Sequence, residues 1–407
     1  MKVLFLLLAL APGRQDPPLD GPTREVLERL WRALDDDDPA RRRTARGELE
    51  KFVVDDARAA WVRAALPGAS AEARAVGKAL LDEYEGRKGP RLVFIEGPLG
   101  SGIGPGPEEN QVCVVRPDGT GRRALTRGKG LRWGPSPSPD GRRVAFTREN
   151  QVWVVETTGN GERALTSGKE EKSWAKFTPD GKRVVYLAGP YREQRIRIVD
   201  LDGSNDRALS AGPDDAGVSF LPDGRMLFTR EDDQSSVIWI MDADGRGARP
   251  LSTDRKGYRA APSPDGRHAV YVHWMGDSDE SFLKAIDLRD GSSRRLTRGE
   301  GVTERDPVFL GPDRILYLHS PSGSGEEDRK ARRIVKLSLD GREREDFLSN
   351  DDIRGGHAHS LQVSPDGRWL LYQTGGPYVM GMTVVDVATR TARSLGEGSH
   401  AAWARGQ

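Results

Sequence analysis

Histidine and arginine are the side chains in this sequence whose types and positions offer the most chemistry. His273 and His319 close two apolar runs, AVYVH and ILYLH; His357 and His359 alternate in GGHAHS, and His400 opens HAAW. Imidazole is the commonest transition-metal ligand, so converging histidines can hold a metal or an anionic group. Period-two spacing sends His357 and His359 to the same side of a strand. Arg148 and Arg230 end runs that match those of His273 and His319, a place taken elsewhere by Glu96, Ala188 and Thr374. Their guanidiniums suit a partner's carboxylates. The plainer reading is strand-end side chains that bond to backbone or water. Glu96, Arg148, Arg230, His273, His319, His357 and His359 are the candidate partner- or ligand-binding residues. No catalytic residue, metal ligand or cofactor is assigned.

Other motifs are weaker. The stretch Gly97 to Gly104 lacks the Gly-Lys-Ser/Thr ending of a phosphate loop and opens no helix. No G-x-S-x-G, H-E-x-x-H or C-x-x-C occurs. The acidic run Asp35–Asp38 reads as a solvated turn ending in a helix cap. Asp-x-Asp-Gly at 200–203 and 242–245 lacks the rest of a calcium loop. Trp153 and Trp239, like Trp174 and Trp403, recur at matched places, which implies core packing. Cys113 is the only cysteine and reads as a buried strand residue with no disulfide partner.

The elements that must position these residues come from a repeat. Ser-Pro-Asp-Gly-Arg or a near relative, followed by an apolar alternation, recurs around Asp140, Asp180, Asp223, Asp265, Asp313 and Asp366, at spacings of 40, 43, 42, 48 and 53 residues. Pro fixes φ, Asp bonds back to the nearby backbone, and Gly closes a hairpin at positive φ. Each unit reads as short strands a, b, c and d, the content of a propeller blade. The strand-d leucine counts seven units, at Leu125, Leu165, Leu209, Leu251, Leu296, Leu348 and Leu395. The first unit starts at strand b, Arg91–Ile95, and a lone strand a, His400–Trp403, ends the chain, so joining them completes a blade and removes free sheet edges. A seven-bladed propeller is expected, with a six-bladed ring as the alternative. Pro-Asp-Gly and Asp-Gly turns make one plain face, and the variable b–c and d–a loops make the opposite face, where binding is expected.

Before the strands, residues 23–88 have helical periodicity, with Val26, Leu27, Leu30, Trp31 and Leu34 on one stripe. Asp38 and Ser70 read as caps, and Arg42/Arg74, Leu49/Leu81 and Phe52/Tyr84 match at the same 32-residue offset. The region resembles HEAT-type helical repeats. Residues 1–13 carry an apolar stretch, Val3–Ala11, too short for the roughly 20 residues of a membrane span, and fit a secretory signal; residues 14–22 read as a linker. Lys+Arg 63 against Asp+Glu 62 gives a net charge of +1, so no long-range field selects nucleic acid or an anionic membrane.

The Pro-Asp-Gly-Arg/Lys units of residues 89–407 resemble the WD40-like, or PD40, repeats of TolB-type proteins and of prolyl-oligopeptidase-type propellers. The resemblance implies a β-propeller. For the TolB type it also implies protein contacts in the cell envelope. Ser/Asp/His triads of the peptidase relatives sit in an α/β-hydrolase domain for which this sequence has no counterpart. The expected function is thus a non-enzymatic, exported interaction scaffold, periplasmic or secreted, binding a protein or peptide or a glycan. The alternatives are a hydrolase or lyase with a His/Arg site at the channel mouth, and an intracellular scaffold.

Overall fold

The computed structural model describes residues 19–53, 56–97, 109–232, 234–276, 280–323, 331–353, 358–375 and 380–405. The expected signal segment, residues 1–13, lies outside them. The chain divides into two units between Gly89 and Pro90.

In the first unit, Asp20 accepts a hydrogen bond from the Thr23 N–H and caps α1 (Gly21–Ala33), which therefore begins two residues before the expected Thr23. Asp38 caps α2 (Pro39–Phe52), with Pro39 at the position where a missing N–H costs nothing. After α3 (Asp56–Ala65) and a short 3-10 turn, Leu66–Gly68, the Ser70 hydroxyl accepts from the Ala73 N–H at the start of α4 (Ala71–Lys88). The stripes meet in one core built on Leu27, Leu34, Leu49 and Val62, with Trp31 and Trp61 edge to face at 5.8 Å. No helix among the described residues is long and apolar enough to cross a membrane.

The repeated turn uses one residue more than turn propensity alone requires. The Ser138 hydroxyl donates to Asp140 Oδ1 (2.6 Å) and accepts from the Arg143 N–H (2.9 Å), while Asp140 Oδ1 also accepts from the Arg142 N–H (3.0 Å). Thr178 with Asp180, Ser263 with Asp265 and Ser364 with Asp366 repeat the arrangement. The Ala-Leu-Thr ending of strand d has a matching cause. Thr126, Thr166, Ser210, Ser252 and Thr297 each accept from a backbone N–H of strand c, at 2.9–3.0 Å. In strand b, Tyr186, Tyr271, Tyr317 and Tyr372 are fully buried. Core clusters span neighbouring sheets, as where Val152 and Val154 meet Phe177 and Tyr186.

Five sheets are separate four-stranded antiparallel blades. Strands a and b in them are Arg132–Pro137 with Arg143–Arg148, Lys172–Phe177 with Arg183–Ala188, Asp215–Phe220 with Met226–Asp232, Ala358–Val363 with Trp369–Gly375, and the closing pair Ser399–Ala404 with Arg91–Glu96. In that closing pair Leu92 stands opposite Trp403 and Val93 opposite Ala402, so the two ends of the propeller unit share one sheet. The expectation of seven separate blades is not met. The remaining strands form one eight-stranded sheet, because strand a at Val302–Phe309 joins strand c at Ser281–Asp287 through a parallel bridge between Ser281 and Thr303. The Ser281 hydroxyl fastens the join, donating to the Glu304 carbonyl (2.8 Å) and accepting from its N–H (3.0 Å). This sheet also contains strand a at Gly257–Pro262 and strands b at His268–Trp274 and Arg314–Pro321.

Candidate binding face and channel wall

Strand register decides what the expected site residues do. Arg148 lies opposite Arg132, Arg230 opposite Asp215, His273 opposite Gly257 and His319 opposite Glu304. Arg230 and His319 find partners in strand a of their own units, whereas Arg148 and His273 find theirs in loops beside strand d, at Glu162 and Asp254. Arg230 grips the buried Asp215 with two hydrogen bonds (2.7 and 3.1 Å) and lies over the Trp239 ring at 4.2 Å. Arg148 pairs with Glu162 at 3.2 Å and lies over the Trp153 ring. Glu96 accepts from Arg122 (2.6 Å) and from the Cys113 thiol, whose pKa burial pushes far up. His273 Nδ1 stands 3.1 Å from Asp254, which also accepts from Lys284 Nζ (2.6 Å) and the Tyr271 hydroxyl (2.8 Å). Burial lowers the His273 pKa against the opposing pull of Asp254. His319 stands 3.4 Å from Glu304. These five residues are not brought together, and His357 lies outside the described residues.

A different set converges. Strand a stands innermost in a propeller blade, and within it the register slips through a β-bulge in each of the seven units, at the third strand residue in five of them. The residue there has a left-handed backbone in every unit: Gly134, Trp174, Gly217, Arg259, Asp306, Ser360 and His400, with φ between 50° and 63°. Gly134 and Gly217 satisfy this cheaply; the other positions carry side chains at a backbone cost. Arg259 pairs with Asp306 in strand a of the next unit (3.0 Å), and Asp306 accepts from the Ser360 N–H (2.9 Å). His359 bonds the Ser360 hydroxyl at 3.1 Å. His400 meets Trp133 edge to face at 5.6 Å and Trp174 at 6.5 Å, reaching past Gly134. Burial lowers the pKa of both histidines.

Trp174 is 59% exposed, whereas Trp403, in the same strand class, is 8% exposed. The expectation of core packing is therefore corrected for Trp174, which sits at the strand-a bulge, with Gly134 and Gly217 at the matching place of the units on either side. The other large exposed apolar residues among the described ones, Tyr191 and Met275, follow strand b on the variable-loop side. No group of His, Cys, Asp and Glu among the described residues is arranged to hold a metal. The wall offers an aromatic face beside an ion pair and two imidazoles, a set suited to holding a ligand with both apolar and hydrogen-bonding parts.

Residues 106–261 match the model of the TolB beta propeller domain, PD40. The repeats in those residues are similar to the TolB type. The propeller is similar to TolB from Acinetobacter baumannii, at 18% identity and a TM-score of 0.52, over 83% of this chain and 73% of that one. It is similar to an oligogalacturonate lyase solved with manganese, at 16% identity and a TM-score of 0.54, over 73% and 86%. It is also similar to a puromycin-hydrolyzing peptidase of Mycobacterium tuberculosis, at 15% identity and a TM-score of 0.54, over 77% of this chain and 54% of that one. At such identities the likeness speaks for the fold alone, which TolB-type proteins and enzymes share. No curated protein matches the chain.

The sequence expectation missed the bulge ring. Its one visible sign is glycine at the third place of strand a, in Gly134 and Gly217.

Proposed function

We propose that the chain is an exported, non-enzymatic TolB-type interaction propeller that binds a protein or peptide at the variable-loop mouth of its channel. One observation carries the reading: the large apolar side chains exposed among the described residues are Trp174 on the channel wall and Tyr191 and Met275 after strand b, on the variable-loop side. Exposed aromatic and Met residues beside satisfied ion pairs fit a protein contact better than a solvated surface. On this reading the ring has seven units, the eight-stranded sheet counting as two blades that meet at a single bridge, and the helical unit serves as a docking arm.

Affinity capture from envelope fractions tests it, using the intact chain, a Trp174→Ala/Tyr191→Ala/Met275→Ala variant, and a version lacking residues 23–88. The partner retained by the intact chain should fall by roughly tenfold with the triple variant, as expected when hot-spot side chains are truncated, at an unchanged Tm. Equal capture by the triple variant rules the face out, and recovery of uncleaved protein from the cytosol rules out export.

A further inference from the structure

The tight-turn face, expected to be plain, contains a cavity of about 680 Å³. Its wall is formed by Arg225 and Arg249 of one unit and by Arg267, His268, Asp287 and Arg289 of the next.

A broken repeat accounts for the opening. At the start of strand d, Arg163, Arg207 and Arg393 donate to backbone carbonyls in the c–d turn of the next unit, at Leu201 (2.7 Å), Asp244 (3.1 Å) and Asp118 (2.6 Å). Arg123 and Arg294 do the same to Thr157 and Leu339. Arg249 occupies the matching place, but among the described residues it makes no such bond and has no ion-pair partner. The carbonyl in register with it belongs to Leu288, which lines the cavity instead. The unit of Leu348 has Asp346 at this place; of the six units with an arginine there, the latch is open at Arg249, and the released guanidinium faces the gap.

Charge favours an anion there. Four guanidiniums line the cavity against the single carboxylate of Asp287. Asp223 engages Arg225 at 2.8 Å, but Asp265 and Asp287 stand 3.9 Å from Arg267 and Arg289, whose side chains are 79% and 85% exposed. The His268 Nδ1 is buried in the wall with no hydrogen-bond partner among the described residues. Guanidinium forks match the oxygens of phosphate in bidentate fashion, and an unpartnered buried polar atom gains most from a ligand that satisfies it.

We propose that this cavity is an oxyanion site that takes a phosphate group through Arg249, Arg267 and Arg289, with His268 at its wall. The phosphate arrives on a free small molecule or on a lipid headgroup, and the test separates the two. The full chain is titrated with inorganic pyrophosphate by calorimetry and floated with vesicles of phosphatidylglycerol in phosphatidylcholine. One pyrophosphate should bind per chain, more weakly as salt rises. Arg249→Ala and Arg267→Ala should each weaken it roughly tenfold. Arg342→Ala, an 87% exposed arginine of a later c–d turn, should leave it unchanged. Flotation that is lost in the same two variants assigns the lipid source; pyrophosphate binding without flotation assigns a free ligand. Absence of both, or equal weakening by Arg342→Ala, overturns the site. So does a fall in Tm for Arg249→Ala as large as that for Arg163→Ala, because Arg249 would then be acting as a latch.

Discussion

His400 is packed by Trp133 and Trp174, and burial holds its pKa below the ordinary imidazole value, with the like charge of His359 adding to the effect. A histidine with a depressed folded pKa stays neutral in the native state while the unfolded chain takes up its proton near pH 6.5. Stability therefore falls as pH drops below about 6.5, until the native imidazole also titrates. His359, in contact with the same wall, has the same sign despite the opposing pull of Asp306. Asp140, Asp180 and Asp265, lowered within their turns, contribute stability that is lost only below about pH 4. Asp214 and Glu231, raised by burial, act in the opposite direction but are common to any comparison at His400. Tm should thus drop between pH 7.5 and 5.5, and His400→Gln should lessen the drop. Parallel curves for the two proteins would refute the assignment. None of this was legible from residue type, because imidazoles in strand-like runs look alike until burial distinguishes them. The ion pairs of Arg230 and His273 were hidden for a related reason: their partners, Asp215 in strand a and Asp254 in the loop before strand a, are brought close by register and loop path, which spacing along the chain does not reveal.

At the scale of elements, turn chemistry was the most legible feature. Pro-Asp-Gly names a hairpin because its residues act within a few positions of one another, and the caps at Asp38 and Ser70 are local for the same reason. The bulge in strand a is a different case. It answers to the curvature of the inner wall, which no single strand encodes, and only Gly134 and Gly217 betray it. Two glycines separate local strain from packing. At Gly134, φ is +56° and an added Cβ would meet nothing within 4 Å, so Gly134→Ala should cost only the left-handed backbone, about 1 kcal/mol. At Gly141, φ is +68° and an added Cβ would run into the Arg405 carbonyl, so Gly141→Ala bears the same strain plus a clash with backbone. Urea unfolding should rank Gly141→Ala clearly below Gly134→Ala. Equal losses would mean that the end of the chain does not pack on this turn.

For the whole molecule, closure was readable because a missing strand a at one end of the repeat and a surplus one at the other are complementary counts. The fusion into an eight-stranded sheet was not, since it depends on one hydroxyl, Ser281, meeting Glu304 across a loop. Closure also sets the most severe test. Strand Ser399–Ala404 covers the edge of Arg91–Glu96, and Trp403 donates its indole N–H to the Gln362 carbonyl at 3.2 Å, tying the last strand to the sheet before it. Deleting residues 399–407 leaves the Arg91–Glu96 edge unpaired and strips Leu92 and Phe94 of part of their cover, a combination that favours edge-to-edge association. The truncated chain should lose its cooperative thermal transition and scatter light at concentrations where the intact chain does not. A synthetic peptide spanning residues 398–405, supplied in trans, should pair with the vacant edge and restore both properties, as an added strand does in β-augmentation. A peptide of the same composition in scrambled order should not, because the Leu92–Trp403 and Val93–Ala402 pairs fix the register. Rescue by the scrambled peptide, or an undisturbed transition in the truncated chain, would mean that the ring holds together without its terminal clasp.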